Sequence, residues 1–435
     1  MANYLTNTET QVKEMLAKIG VNTIDELYGD IPSDLKLRKL EIGKGLSQQE
    51  VLDDMKKMAA KNAKYNCIMR GAGAYDHYIP SVVKYLSSRS EFLTAYTPYQ
   101  AEMSQGILQS IFEYQTMICA LTGMNVSNAS VYSGATAAAE GVLMTKAGVK
   151  NEIIVSDNIN PANLEVIKTY VSQRGMTVTV LPNKDGATDL DALVAAVNDT
   201  TACVYIEQPN YFGIIEQASE IGEIIHAKKG KFIMNCNPMT LALLKTPKDC
   251  GADIAVGDAQ PFGLSLSFGG PYLGYMASSE KEMRKLPGRI VGETVDKEGN
   301  RAFVLTLQAR EQHIRREKAL SNICSNQAHC ALVAGMYLTA MGSEGLREVA
   351  TACISLAHYA AEEFKKAGAE LKYKSDFFHE FVTVTKAKAS KINERLKKEG
   401  ILGGLEIGKN EMLWCFTENV TKADIDKVAE IIRRA

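Results

Sequence analysis

An α/β fold is expected, built on a mostly parallel central sheet with a small α/β domain at the C-terminus. Three observations point there. Short apolar runs rich in Val and Ile recur between helical stretches from about residue 100 onward, the pattern of strands buried on both faces and joined by crossover helices. Beyond residue 320 a long helical stretch precedes a second, shorter strand–helix alternation. The 435 residues supply enough chain for two to three compact units. The expected division is 1–95 as an N-terminal helical extension, 96–320 as a large domain and 321–435 as a small one.

The elements follow in order. Amphipathic helices fill the first sixty residues, with starts marked by Thr23 and Glu26 and by Ser47 and Glu50. In each pair the hydroxyl and the carboxylate satisfy each other's orphan backbone N–H groups. Those helices lead into or wrap the main body. Helices are expected over 105–121 and 134–146, then strand 153–155, helix 163–171 and strand 177–181. Helix 189–197, strand 202–206, helix 218–228 and strand 231–234 continue the alternation, and strands 253–256 and 272–276 close it. A hairpin between 289 and 307 turns at Asp296-Lys297-Glu298-Gly299-Asn300. A long helix over 326–366 is interrupted near 342–345. Strand 377–384, helix 390–398, strand 412–416 and helix 422–434 make the small domain.

Composition narrows the function classes. With 49 Lys+Arg against 51 Asp+Glu the net charge is −2, which excludes a general attraction to nucleic acid or to an anionic membrane. The densest basic run, Arg310 to Lys318, is interrupted by Glu311 and Glu317. It reads as a solvated face, with an anion- or partner-binding patch as the other reading. No basic-then-apolar leader opens the chain, and the long uncharged runs 114–139, 259–279 and 319–343 are broken by polar residues, so no membrane span is expected. Nine cysteines without a CxxC pair fit free thiols in a reducing cytoplasm. Cys324, His329 and Cys330 would spread around a helix axis, so no metal site is expected.

A parallel sheet places its ligand at the carboxyl ends of its strands, and three segments fall there. Tyr132-Ser133-Gly134-Ala135-Thr136 is a small-residue turn opening a helix, whose N–H groups can hold a phosphate with the Ser133 and Thr136 hydroxyls. The strand end Met234-Asn235-Cys236-Asn237 is the second. The third is 251–274, where a short strand runs through Asp258-Ala259-Gln260-Pro261-Phe262 into a glycine-rich loop. These segments resemble the pyridoxal-phosphate (PLP) site of fold type I transferases, the aspartate-aminotransferase type. In that family the first turn holds the phosphate, an aspartate at the second protonates the pyridine, and a lysine on the third forms the Schiff base. Here Asn237 stands for the aspartate and supplies no negative charge. Pro261 stands for the lysine and has no amine, with Gln260 beside it.

The resemblance sharpens over nearly the whole chain. Residues 70–76 (RGAGAYD), 96–106 (YTPYQAEMSQG), 114–116 (YQT), 133–136 (SGAT), 251–254 (GADI) and 310–322 (REQHIRREKALSN) are similar to the α chains, or subunit 1, of the two-chain glycine dehydrogenase (decarboxylating) family, the P-proteins of the glycine cleavage system. That resemblance implies a partner β chain of similar fold, in an α2β2 assembly, carrying lysine-bound PLP. It implies that glycine is decarboxylated with release of CO2 and that the aminomethyl carbon passes to the lipoyl group of H-protein. Because sites in such dimers form at the subunit interface, Tyr96, Tyr99 and Gln100 are expected to reach the partner's pocket on a loop whose backbone Pro98 fixes, with Tyr75, Asp76, Ser321 and Asn322 as further contributors. Ser133, Gly134, Thr136, Asn237, Gln260 and Pro261 would outline a vestigial cofactor pocket. Competing readings remain. The tyrosine-proline loop can be interface packing, Asn322 can cap the next helix, and the chain can be a non-catalytic scaffold or an autonomous PLP enzyme using another lysine, such as Lys245 inside an earlier helix.

Overall fold

The computed structural model describes residues 7–37, 41–94, 96–267 and 269–435. Met1–Thr6 of the N-terminal segment and Phe268 of the glycine-rich loop lie outside them. Two compact units divide the chain between Lys64 and Tyr65. In the first, α1 (Glu9–Ile19) starts at a capping box made by Thr8 and Gln11, and α2 (Gln48–Ala59) at the expected box of Ser47 and Glu50. The Thr23 segment differs: it forms a short 3-10 turn, Ile24–Tyr28, in which Thr23 donates to Glu26 Oε1 at 3.1 Å instead of capping a backbone N–H. Among the described residues of this unit only Leu16 is buried, so it has no core of its own.

The second unit holds a seven-stranded sheet. Its strands are β1 (Val126–Ser127), β2 (Glu152–Ser156), β3 (Thr177–Leu181), β4 (Thr201–Gln208), β5 (Lys231–Cys236), β6 (Ile254–Asp258) and β7 (Gly274–Ser278), in the order β1-β7-β6-β5-β4-β2-β3. The β3-β2-β4-β5-β6 block is parallel, and β7 runs antiparallel to both β6 and β1. Every residue of β4 is buried, which is why the strand reads as an apolar run with no polar alternation. The period of two sends Ile153 and Val155 to one face and Ile154 to the other. On the first face lies α4 (Gly134–Leu143), whose GATAAAEG sequence lets it approach closely: a Cβ at Gly141 would stand 3.1 Å from Val256 Cγ1. The opposite face is covered by α3 (Gln105–Thr122), α7 (Ala218–Ala227) and α8 (Ala328–Lys366). Helices α5 (Pro161–Ser172) and α6 (Leu190–Ala196) complete the crossovers.

The expected hairpin forms as β8 (Ile290–Val295) and β9 (Arg301–Thr306), antiparallel, with Ile290 opposite Thr306. Helix α8 is interrupted where expected: Gly342 takes non-helical angles, φ +62° and ψ −175°, and divides it into two helical halves across a kink. Beyond it β10 (Glu370–Leu371), β11 (Glu380–Val384), β12 (Leu405–Gly408) and β13 (Glu411–Cys415) form a four-stranded sheet ordered β10-β11-β13-β12. Helices α9 (Ala389–Lys398) and α10 (Lys422–Arg433) pack with it, and Trp414 meets Phe364 of α8 at 4.8 Å between rings. Cys67 and Ile68 pair in parallel with Ile401 and Leu402, so the chain just past residue 64 belongs to this sheet's side of the molecule. No helix among the described residues is long and apolar enough to cross a membrane, and all nine cysteines are free.

Candidate functional site

At the carboxyl ends of β4, β5 and β6 lies a polar cavity of about 110 Å³, where a parallel sheet is expected to hold its ligand. Its wall includes the acids Glu207, Asp258 and Glu380 and the amides Asn163, Asn235 and Asn237, with neither Lys nor Arg among the described lining residues. The first of the three sequence segments opens α4 as expected. Ser133 Oγ accepts from Thr136 N–H at 3.3 Å and lies 3.2 Å from the Thr136 hydroxyl, so the two side chains are turned to each other.

The helix terminus already holds an anion from the chain itself. Gly134 N–H donates to Asp258 Oδ2 at 2.8 Å. Asp258 Oδ1 accepts from Gln260 N–H at 3.0 Å and from Leu273 N–H at 3.1 Å. Gly134 has to be glycine for this approach, because a Cβ there would sit 2.8 Å from Asp258 Cβ. Burial pushes the Asp258 carboxyl up, and the three N–H donors pull it back. A carboxylate here takes the place that a phosphate takes at such a terminus.

The third segment is locked. Gln260 is fully buried and exchanges bonds with Tyr75: its Oε1 accepts from Tyr75 N–H at 2.8 Å and its Nε2 donates to Tyr75 O at 2.9 Å. Pro261 is buried beside it. The Tyr75 hydroxyl donates to Glu380 Oε2 at 2.9 Å, and Ala72 N–H donates to Oε1 at 2.7 Å. Asn237 lines the cavity but spends its side chain elsewhere, accepting from Met239 N–H at 3.1 Å and lying 3.4 Å from His379 Nε2. Asn235 Nδ2 instead donates to Tyr205 OH at 2.7 Å, beside Glu207. Lys245 is exposed in a loop after a 3-10 turn, not inside a helix, and does not line the cavity.

The acids Glu207 and Glu380 escaped the sequence reading, although each is a lone acid in an apolar strand, the signal of a buried carboxyl. Burial, reinforced by Glu207, raises the Glu380 carboxyl from its ordinary 4.5 to about 7, against the bonds from Ala72 and Tyr75. A raised carboxyl stabilises the fold only while protonated. Between about pH 4.5 and 7 the unfolded chain releases that proton and the folded chain keeps it, so stability falls as pH rises. Glu380→Gln keeps an acceptor for Ala72 and lets the Tyr75 hydroxyl accept. It is expected to flatten that decline, by up to about 3 kcal/mol at neutral pH. Denaturant unfolding from pH 4 to 8 checks this; parallel curves for both proteins would refute it.

The other expected residues lie away from this cavity. Tyr96 is 92% exposed, Gln100 is exposed and Pro98 is buried. Tyr99 is half exposed and accepts from Arg289 Nη2 at 3.2 Å, with the guanidinium 5.5 Å over its ring. Arg289, itself buried and unforeseen, also donates to Cys324 O at 2.9 Å and to Asn326 Oδ1 at 3.4 Å. One guanidinium thus ties the 96–106 loop to the 310–326 loop, two segments more than two hundred residues apart. Ser321 Oγ accepts from Ile323 N–H at 3.0 Å. Asn322 is exposed and does not cap the following helix, since α8 starts at Ala328 with Gln327 at its N-cap. Asp76 points to the C-terminal sheet, its carbonyl accepting from Thr417 Oγ1 at 2.7 Å and Asn419 Nδ2 at 3.0 Å. Away from Cys324, His329 and Cys330, the donor atoms of His77, Cys353 and Glu418 lie within 4.8 Å of one another. Glu418 joins that cluster, through the His77 Nδ1–Glu418 bond at 2.8 Å and the Cys353–Glu418 contact at 3.5 Å, and burial holds the Cys353 thiol well above its ordinary value.

Comparison with known proteins adds the following. Residues 2–432 match the family model described as glycine cleavage system P-protein. A probable glycine dehydrogenase (decarboxylating) subunit 1 of Desulfitobacterium hafniense is 49% identical, across 98% of this chain and 98% of that protein. The counterpart of Bacillus cereus is 48% identical over 97% of each chain. Among solved structures, an inhibitor-bound glycine decarboxylase (P-protein) of the glycine cleavage system covers 100% of both chains at 38% identity and TM-score 0.93. An aspartate aminotransferase from Thermus thermophilus, at 12% identity and TM-score 0.60, shares the fold.

Proposed function

The chain belongs to the glycine cleavage system P-protein family, and on that premise we propose that it is the subunit that carries no PLP and completes the active site of a PLP-bearing β chain. The observation that carries this reading is the double refusal at the family's cofactor position. Pro261 offers no amine, and the Asp258 carboxylate occupies the helix terminus where the phosphate would sit. Asn237, turned to Met239 and His379, is no counter-charge for a pyridinium. A phosphate entering this cavity would face Glu207, Asp258 and Glu380 without a cation. The residues present do not fit the cofactor.

The reaction assigned to the assembled enzyme is decarboxylation of glycine, with CO2 released and the aminomethyl group delivered to the lipoyl arm of H-protein. An α2β2 assembly in the cytoplasm fits nine unpaired thiols. This chain's part is to shape the partner's pocket. The exposed phenols of Tyr96 and Tyr99 and the Gln100 amide present donors on a loop braced by buried Pro98 and by Arg289. Those donors would orient the substrate carboxylate or the lipoyl-linked group.

Mutagenesis of the assembled enzyme tests that role. Tyr99→Phe and Gln100→Ala are each expected to lower kcat about tenfold to a hundredfold while assembly and melting temperature persist. Unchanged turnover in both variants would leave the chain a scaffold.

A further inference from the structure

We infer that Arg289 and Arg310 build an oxyanion site of phosphate type at the foot of the β8–β9 hairpin, separate from the cavity above. The register that sets Ile290 opposite Thr306 brings position 289 beside the turn Gln308–Arg310. There Arg310 donates through Nη2 to Gly288 O at 2.8 Å and through Nε to Leu307 O at 3.0 Å. The two arginines line a small pocket of about 30 Å³, joined by Arg284 and Lys285 from the end of the 3-10 helix Glu280–Lys285 and by Ser321. Four basic residues therefore line this space, against a single lining acid, Glu311.

The charge balance calls for an anion. Among the described residues Lys285 pairs with Glu282 at 3.0 Å, while Arg284, Arg289 and Arg310 form no ion pair with a carboxylate. Arg289 is 93% buried by its 7% exposure, and its partners are a phenol, a carbonyl and an amide oxygen. Its Nε–H finds no acceptor among the described residues. Buried guanidinium groups are ordinarily matched by negative charge, and an orphaned charged donor is more costly than a neutral one. A tetrahedral oxyanion with several acceptor oxygens answers the charge deficit, and guanidinium geometry suits it. Of the basic run 310–318, Arg310 thus belongs to an anion site. Exposed Arg315 and Arg316 form a solvated face.

Inorganic phosphate is the probe. The full chain, titrated calorimetrically and by thermal shift against chloride at matched ionic strength, is expected to show saturable binding and a raised melting temperature. Arg310→Gln is expected to weaken phosphate binding about tenfold or more. Arg284→Gln, at an exposed position that folding does not depend on, is expected to weaken it severalfold. Equal effects of phosphate and chloride, or wild-type phosphate affinity in both variants, overturn the site. Repeating the titration on the chain assembled with its lysine-bearing partner identifies the source. Persistent binding assigns a free oxyanion. Saturable binding lost on assembly assigns an anion that the partner brings to the same arginines.

Discussion

Asp258→Ala is expected to cost the protein about 3 kcal/mol or more of folding stability, a large effect for one side chain that faces a cavity. Its carboxylate accepts three backbone N–H groups, from Gly134, Gln260 and Leu273. Alanine leaves all three orphaned at the junction of α4, β6 and β7, where an unmade bond costs the full desolvation of its donor. Removing the carboxyl also relieves the strain of burying it, and cavity water can reach some of the freed donors, so the loss falls below the sum of three bonds. Asp258→Asn keeps Oδ1 for Gln260 and Leu273 but turns its amide NH2, a donor, toward the Gly134 N–H, and should lose about half as much. Guanidinium unfolding of the full chain measures both. A loss under about 1 kcal/mol for the alanine variant would mean that the helix terminus does not depend on its internal anion.

The proposed shared active site depends on the same residue. In a chain that bound the cofactor, the terminus of α4 would be open and its neighbourhood cationic. Here the terminus is neutralised from within, and the surrounding wall is acidic. The Gln260–Tyr75 exchange, the Tyr75–Glu380 bond and the Asp258 cradle make the wall of this cavity a structural centre joining β6 to the C-terminal sheet. Under the proposed function this chain's contribution comes instead from the loop 96–100, where Tyr96, Tyr99 and Gln100 are exposed.

How much of this was legible follows from range. The strands of the parallel sheet were readable because burial on both faces makes them apolar runs, and the hairpin because its turn chemistry is local. β12 (LEIG) and the paired residues 67–68 and 401–402 were not, since their strand state comes from partners far along the chain. The Ser47 box was read correctly, whereas Thr23 shows the same letters serving a 3-10 turn. That Pro261 has no amine and Asn237 no carboxylate is legible from residue type alone. Asp258 was in plain view in the same turn, but nothing local says that its carboxylate meets Gly134, 124 residues away. Arg289 and Glu380 were invisible for the same reason. Their meaning lies in contacts with Tyr99, Cys324, Ala72 and Tyr75, which only the folded chain brings together.

The most direct test takes this chain, its lysine-bearing partner and their mixture through one assay, glycine–bicarbonate exchange in the presence of PLP and lipoylated H-protein, with borohydride reduction of each sample. This chain alone should stay colourless, yield no pyridoxyl-lysine and show no exchange. The mixture should regain exchange by at least about two orders of magnitude over either chain, with the label on the partner's lysine. Exchange by this chain alone, or a reduced pyridoxyl group on one of its own lysines, would contradict the account.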